Sequence, residues 1–369
     1  MNIVQVKIAI LIFLFALPCH AEKSFEGRNL IRLETGNSRV IVDRGGGSIV
    51  DFSLLSQGLN PLTFWHPERG DLKPQPIGHF VCFDRLGNSS PQEKKNGMPN
   101  HGEAGRVDWT VLSQPSNTED GISASMYGDL PLAGMRLTRK MMLSENAPVL
   151  YVTETFTNNN KLGKVYNIVQ HPTIAPPFLD DTVCVDSNAL KGFWVGNPAP
   201  TYEEPLVWWP TIMYRGDQVD LRNLKDNHNP GVVNFVFPDG VEHGWVTACN
   251  ARQGLLFGYL WRLTDYPWFR IWRYARGGKP QAVGLEFGTT PLPYPFGDIL
   301  AKGSIFGRPI YEYLDAGQSI EKSYIAFLAE VPEGFRGVAS ILIQEKSIIL
   351  KEKGLEKPRD ITIAVDKLD

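Results

Sequence analysis

V-I-V-D-R-G-G-G-S-I-V-D-F-S-L, residues 40–54, decides the fold class. Two runs alternate apolar and polar residues around three consecutive glycines, which is the pattern of a half-buried β-hairpin. A phosphate-cradling glycine loop would need a following Lys-Ser/Thr and a helix start, and neither is present. Working outward, further β-type runs stand at 79–83, 135–143, 149–157, 231–237, 244–249, 254–260, 269–274 and 323–328, many separated by turn residues. With 35 Gly and 27 Pro among 369 residues and 43% hydrophobic content, turns are plentiful and long helices are not expected. The expectation is an all-β chain built as one large antiparallel β-sandwich.

The chain divides into three parts. Residues 1–21 carry a single charge, Lys7, then an apolar run and Pro18-Cys19-His20-Ala21, and read as a secretory signal peptide cleaved after Ala21. The apolar run is short for a membrane span, so a periplasmic or secreted location follows. Residues 22–336 form the sandwich. Residues 337–369 hold two β-like pieces, 341–351 and 361–365, around a Lys/Glu-rich segment, and read as an added edge or a loosely held extension. The stretches 89–100, 180–226 and 291–304 read as long irregular loops of the kind that carry function.

A net charge of −3 argues against nucleic acid and against a polybasic membrane surface. Three cysteines follow Ala21: Cys82, Cys184 and Cys249, so at most one intrachain disulfide can form. There is no H-E-x-x-H, no zinc-spaced Cys/His quartet, no G-x-S-x-G and no dinucleotide fingerprint, and no metal or cofactor is expected.

Three short motifs carry candidate chemistry: N-H-G-E-A-G-R-V-D-W at 100–109, Q-H-P-T-I at 170–174 and G-L-E-F-G at 284–288. Each sets a histidine or a carboxylate beside Gly or Pro in β-rich surroundings. G-H-F-V-C-F-D-R-L-G at 78–87, F-R-I-W-R-Y at 269–274 and L-D-A-G-Q-S at 314–319 complete an ordered set. This set resembles the aldose 1-epimerase, galactose mutarotase-like superfamily, nearest its hexose-6-phosphate mutarotase branch, over roughly residues 30 to 330. The resemblance implies a galactose mutarotase-like supersandwich, an isomerase that interconverts sugar anomers, and no cofactor. It implies His171 as the acid, Glu286 as the base and His101 as a sugar ligand. Two departures stand out: Arg106 follows His101 by five residues where the family pattern has four, and H-P-T-I-A-P-P-F lacks an aromatic soon after His171.

The residue types suit that chemistry by themselves. Opening a sugar ring needs a base for the anomeric hydroxyl and an acid for the ring oxygen, and His with a partly buried Glu can fill those roles. Trp272 offers a stacking face for a sugar, as does the pair Trp208-Trp209. Arg270 and Arg276 share a parity and would share a face of an unbroken strand, with Arg273 opposite. Two such arginines favour an acidic or extended saccharide, a uronate or an oligosaccharide, as the carbohydrate partner. A non-catalytic carbohydrate-binding protein and a lyase on the same scaffold stay open as alternatives. Among other candidates, His79 and His243 read as structural, His66 and His228 as loop residues, and Glu103 as a surface partner of Arg106.

Overall fold

In the computed structural model the described residues are 25–195, 207–224, 229–354 and 357–365. The signal-peptide reading, His228 and part of the 180–226 stretch fall outside them. The described strands are nearly all antiparallel and form two large sheets, of 12 and 8 strands. This is the expected all-β sandwich. Across the middle of the larger sheet run, in order, Ser48–Leu54, His79–Phe83, Ile168–Ile174, Lys279–Gly288, Trp268–Arg276 and Val232–Val236. The smaller sheet runs from Cys184–Ser187 through His243–Asn250, Leu255–Arg262, Ser319–Glu330, Val149–Asn158 and Met135–Ser144 to Gly121–Leu130 and Thr110–Asn117.

The opening hairpin pairs Ser38–Asp43 with Ser48–Leu54. Its glycines are there for two reasons. Gly46 and Gly47 adopt φ of 105° and 62°, which side chains resist. A Cβ on Gly47 would also lie 2.3 Å from the ring of Trp109, which packs across the turn. The hairpin and the 100–109 motif thus fold against one another, and Trp109 Nε1 donates to the Ala104 carbonyl to fix the motif's path.

Strand alternation sorts the larger sheet's two faces. Val81, Phe83, Phe269, Ile271, Leu285 and Phe287 enter the main core between the sheets. Behind Ile168–Ile174, Gln170 reaches into this core. Its amide donates to Glu154 (2.5 Å) and Tyr266 (3.1 Å), and its oxygen meets His79 Nε2 at 3.2 Å. Glu154 pairs with Arg139 at 2.7 Å, both fully buried, and Arg139 lies over Trp109 and donates to the Gly47 carbonyl. His79 also meets the Tyr259 hydroxyl at 3.0 Å. A bonded polar network therefore ties the site-bearing strand to the opposite sheet.

Three loop expectations are corrected. Residues 89–100 contain a short helix, Pro91–Lys95, with Ser90 and Glu93 closing a capping box. Residues 291–304 contain a second, Phe296–Lys302, and the described part of 180–226 is largely strands. At the C-terminus Val338–Gln344, Ser347–Glu352 and Ile361–Ala364 make a three-stranded sheet. Its Val338, Ile348, Leu350 and Ile363 pack on Trp245, Leu256, Leu260 and Phe327 of the smaller sheet.

Candidate active site

The other face of the larger sheet carries a row of polar side chains at one level. Asn234 is the register partner of Arg270, and Arg270 of Glu286. His171 follows on the next strand and pairs with Phe80 on the one after. His171 Nε2 stands 3.1 Å from Glu286 Oε1, and Arg270 Nε 3.2 Å from Glu286 Oε2. Phe80 stacks on the His171 ring at 4.4 Å and 17°, fixing its plane. His101 comes from the loop after His79–Phe83, with φ of 65°, and its ring meets that of His171 edge-on at 5.0 Å. His101, His171 and Glu286 therefore share one location although far apart in sequence.

The glycines of G-L-E-F-G are explained by what crosses them. Gly284 lies opposite Trp272, and a Cβ there would come within 2.0 Å of the indole Nε1. Without that space Trp272 could not lie flat beside Glu286. Gly284→Val is expected to displace the indole and cost about 1–3 kcal/mol of stability, read by denaturant unfolding and by the change in tryptophan fluorescence. Trp65, at φ 55°, completes an aromatic cover, with ring centroids 5.6 Å from His171, 6.2 Å from His101 and 6.1 Å from Trp272. Trp65 is 37% exposed, whereas His171 and Glu286 beneath it are 2% and 0% exposed.

Burial dominates the electrostatics. It lowers His171 to about 3, with Arg270 adding to the effect, and lowers His101 to about 3 with help from His171. It raises Glu286, against the pull of Arg270, His101 and the Trp272 indole. Both members of the His171–Glu286 pair are thus driven toward their neutral forms, so one proton shared between them rests on the carboxyl in the dry site. Both imidazoles should stay neutral from pH 8 to pH 5, which long-range proton–nitrogen NMR of the histidine rings would show. Because the unfolded residues protonate near 6.5, each of these rings withdraws stability as pH falls from about 6.5 toward 3.

The remaining expected site residues are placed as follows. Arg106 is exposed at the end of the 3-10 turn Ala104–Arg106 and acts on His101 through its charge. Arg276 keeps the parity of Arg270, since the extra residue at the register shift, Gln281, lies in the neighbouring strand, but it is exposed at the strand end, about 20 Å along from Arg270. Arg273 is buried and donates to the Asp220 carbonyl. Trp209 packs against Phe235 and Phe269, and Trp208 is exposed. Glu103 is not a surface partner of Arg106: it is buried and accepts from the backbone N–H groups of Leu132 and Ala133.

Sequence reasoning missed Asn234 and Trp65. Asn234 is fully buried, and neither its amide nitrogen nor its oxygen has a hydrogen-bond partner among the described residues. Asn234 sits in the 231–237 β run, but an isolated asparagine carries no motif. Trp65 lies in a loop whose path depends on the fold.

No family model and no curated protein matches the sequence. Solved structures do match its fold. A galactose mutarotase-like protein from Clostridium acetobutylicum is 15% identical, with TM-score 0.61, over 82% of this chain and 96% of that one. A galactose mutarotase-like protein from Lactobacillus casei is 15% identical, with TM-score 0.56, over 82% and 100%. A protein from Escherichia coli provisionally named an aldose 1-epimerase is 15% identical, with TM-score 0.55, over 83% and 100%. The fold is therefore the galactose mutarotase-like β-sandwich.

Proposed function

We propose that this chain is an exported aldose 1-epimerase-type enzyme that interconverts sugar anomers by acid/base catalysis. The observation that carries the reading is the His171–Glu286 pair, 3.1 Å apart, buried beneath aromatic rings and beside His101 and Arg270. In the form with its proton on His171, the pair is a base and an acid side by side. Glu286 takes the anomeric hydroxyl proton, the C1–O5 bond breaks as the C1 carbonyl forms, and His171 protonates O5. Rotation about C1–C2 and the reverse transfers close the ring on the other face. Sugar hydroxyls would supply the partners that Asn234 and Arg270 Nη1 lack among the described residues. Trp272 and Trp65 offer stacking faces. Export rests on the 1–21 segment.

Arg270 changes the expected substrate. Its carboxylate partner is Glu286, and Arg276 is exposed at the far end of the strand, so neither arginine is set aside for an acidic saccharide and a neutral aldose fits better. The same pairing speaks against a lyase, which would need that arginine for a uronate. NMR saturation exchange between anomers across a panel of neutral aldoses, uronates and their oligomers tests this. Faster exchange of at least one neutral aldose is expected; no acceleration across the panel, with binding retained, would make the chain a carbohydrate-binding protein without turnover.

A further inference from the structure

We propose that Cys82, His101 and His171 form a site for a thiophilic divalent cation of the zinc class beside Glu286. One ligating atom of each lies within 4.8 Å of the others, although the three come from two strands and a loop. Cys82 Sγ is 3.4 Å from His101 Nδ1. Sulfur and nitrogen ligands of a tetrahedral zinc, at about 2.3 and 2.0–2.1 Å from the metal, stand about 3.5 Å apart, so this pair already has ligand spacing.

Two independent features support the site. Thr173 Oγ1 lies 3.3 Å from His171 Nδ1, the kind of partner that orients an imidazole while its other nitrogen binds a metal. That other nitrogen faces Glu286, which is fully buried, at 3.1 Å from Oε1. Three protein ligands then leave a fourth position beside a carboxylate. One thiolate with two imidazoles selects zinc-class ions, whereas magnesium and calcium require several oxygen ligands. Binding replaces the S–H bond of Cys82 by a sulfur–metal bond and releases the proton to solvent. Binding at His171 also releases the proton held between His171 and Glu286, so Glu286 is ionised beside the ion and offsets Arg270. Such an ion would fill the space of the acid, so metal and sugar should exclude each other; this last consequence alone rests on the proposed function.

The test is cobalt titration of the full chain, with zinc as competitor and magnesium as control. One equivalent of cobalt should bind with a near-ultraviolet thiolate-to-metal band, zinc should displace it, and magnesium should not. Cys82→Ser should lose the band and weaken zinc binding by more than roughly tenfold, the lower end of what losing even a supporting residue costs a metal site. The double variant Cys184→Ser/Cys249→Ser should keep both. Should Cys82→Ser fail to fold, His101→Ala, altered on a loop, should show the same weakening of zinc with an unchanged circular dichroism spectrum. A folded wild-type chain without the band, a band that survives Cys82→Ser, or zinc binding unchanged in His101→Ala overturns the site. Anomer exchange without metal binding overturns it while sparing the enzyme reading. Metal binding that leaves sugar binding unimpaired upholds the ion site and removes the sugar from these residues.

Discussion

Glu286→Gln and His171→Asn should each lower anomer exchange by about 10²–10⁴-fold, the range for removing a positioned proton-transfer group. Glutamine keeps the shape of Glu286 and can still face Arg270, but it cannot accept a proton from the sugar. Asparagine at 171 keeps a polar group near Glu286 and removes the imidazole assigned to protonate the ring oxygen. Melting curves should change less than the rates, because both substitutions also relieve the cost of burying an ionisable group. Exchange at wild-type rate in a folded preparation of either variant would remove that residue from the mechanism.

Arg139→Leu should destabilise the fold by about 3–5 kcal/mol, measured by urea unfolding. Arg139 and Glu154 are 1% and 0% exposed and pair at 2.7 Å. Removing one partner strands a charge in the core, and that costs more than the intact pair contributes. Arg139→Leu/Glu154→Leu should recover part of the loss, since it strands neither charge. The single variant should also loosen the site, because Glu154 holds Gln170, the immediate neighbour of His171. If Arg139→Leu unfolds at the wild-type midpoint, the buried network is not a stabilising link between the sheets.

The legible parts of the sequence were those whose signal is local. The 40–54 hairpin could be read because period-two alternation and turn glycines are written into one stretch. His101, His171 and Glu286 could be listed because each sits in a motif with Gly or Pro, and the ordered set suggested that they meet. Residues whose role depends on register across strands were not legible. Asn234 matters because it lies opposite Arg270, and that fact belongs to two strands rather than to one. Arg276 shares the parity of Arg270, yet it is exposed at the far end of the strand, a separation that parity does not convey. Glu103 misled because its partners, the N–H groups of Leu132 and Ala133, lie 29 and 30 residues further along. The capping box at Ser90 and Glu93 was readable, yet a five-residue helix is easily lost among loop-forming residues.

The row Asn234–Arg270–Glu286–His171 is spread over four neighbouring strands, while His101 and Trp65 hang over it from loops. Insertions therefore divide into two kinds. One extra residue within any of the four strands would turn its contribution from the site face to the core face and silence it outright. Extra residues in the loops would leave the proton-handling floor untouched and alter only what can reach it. Under the proposed function the sheet alone carries the proton transfers, and the sugar contacts made from the loops can be rewritten without disturbing them.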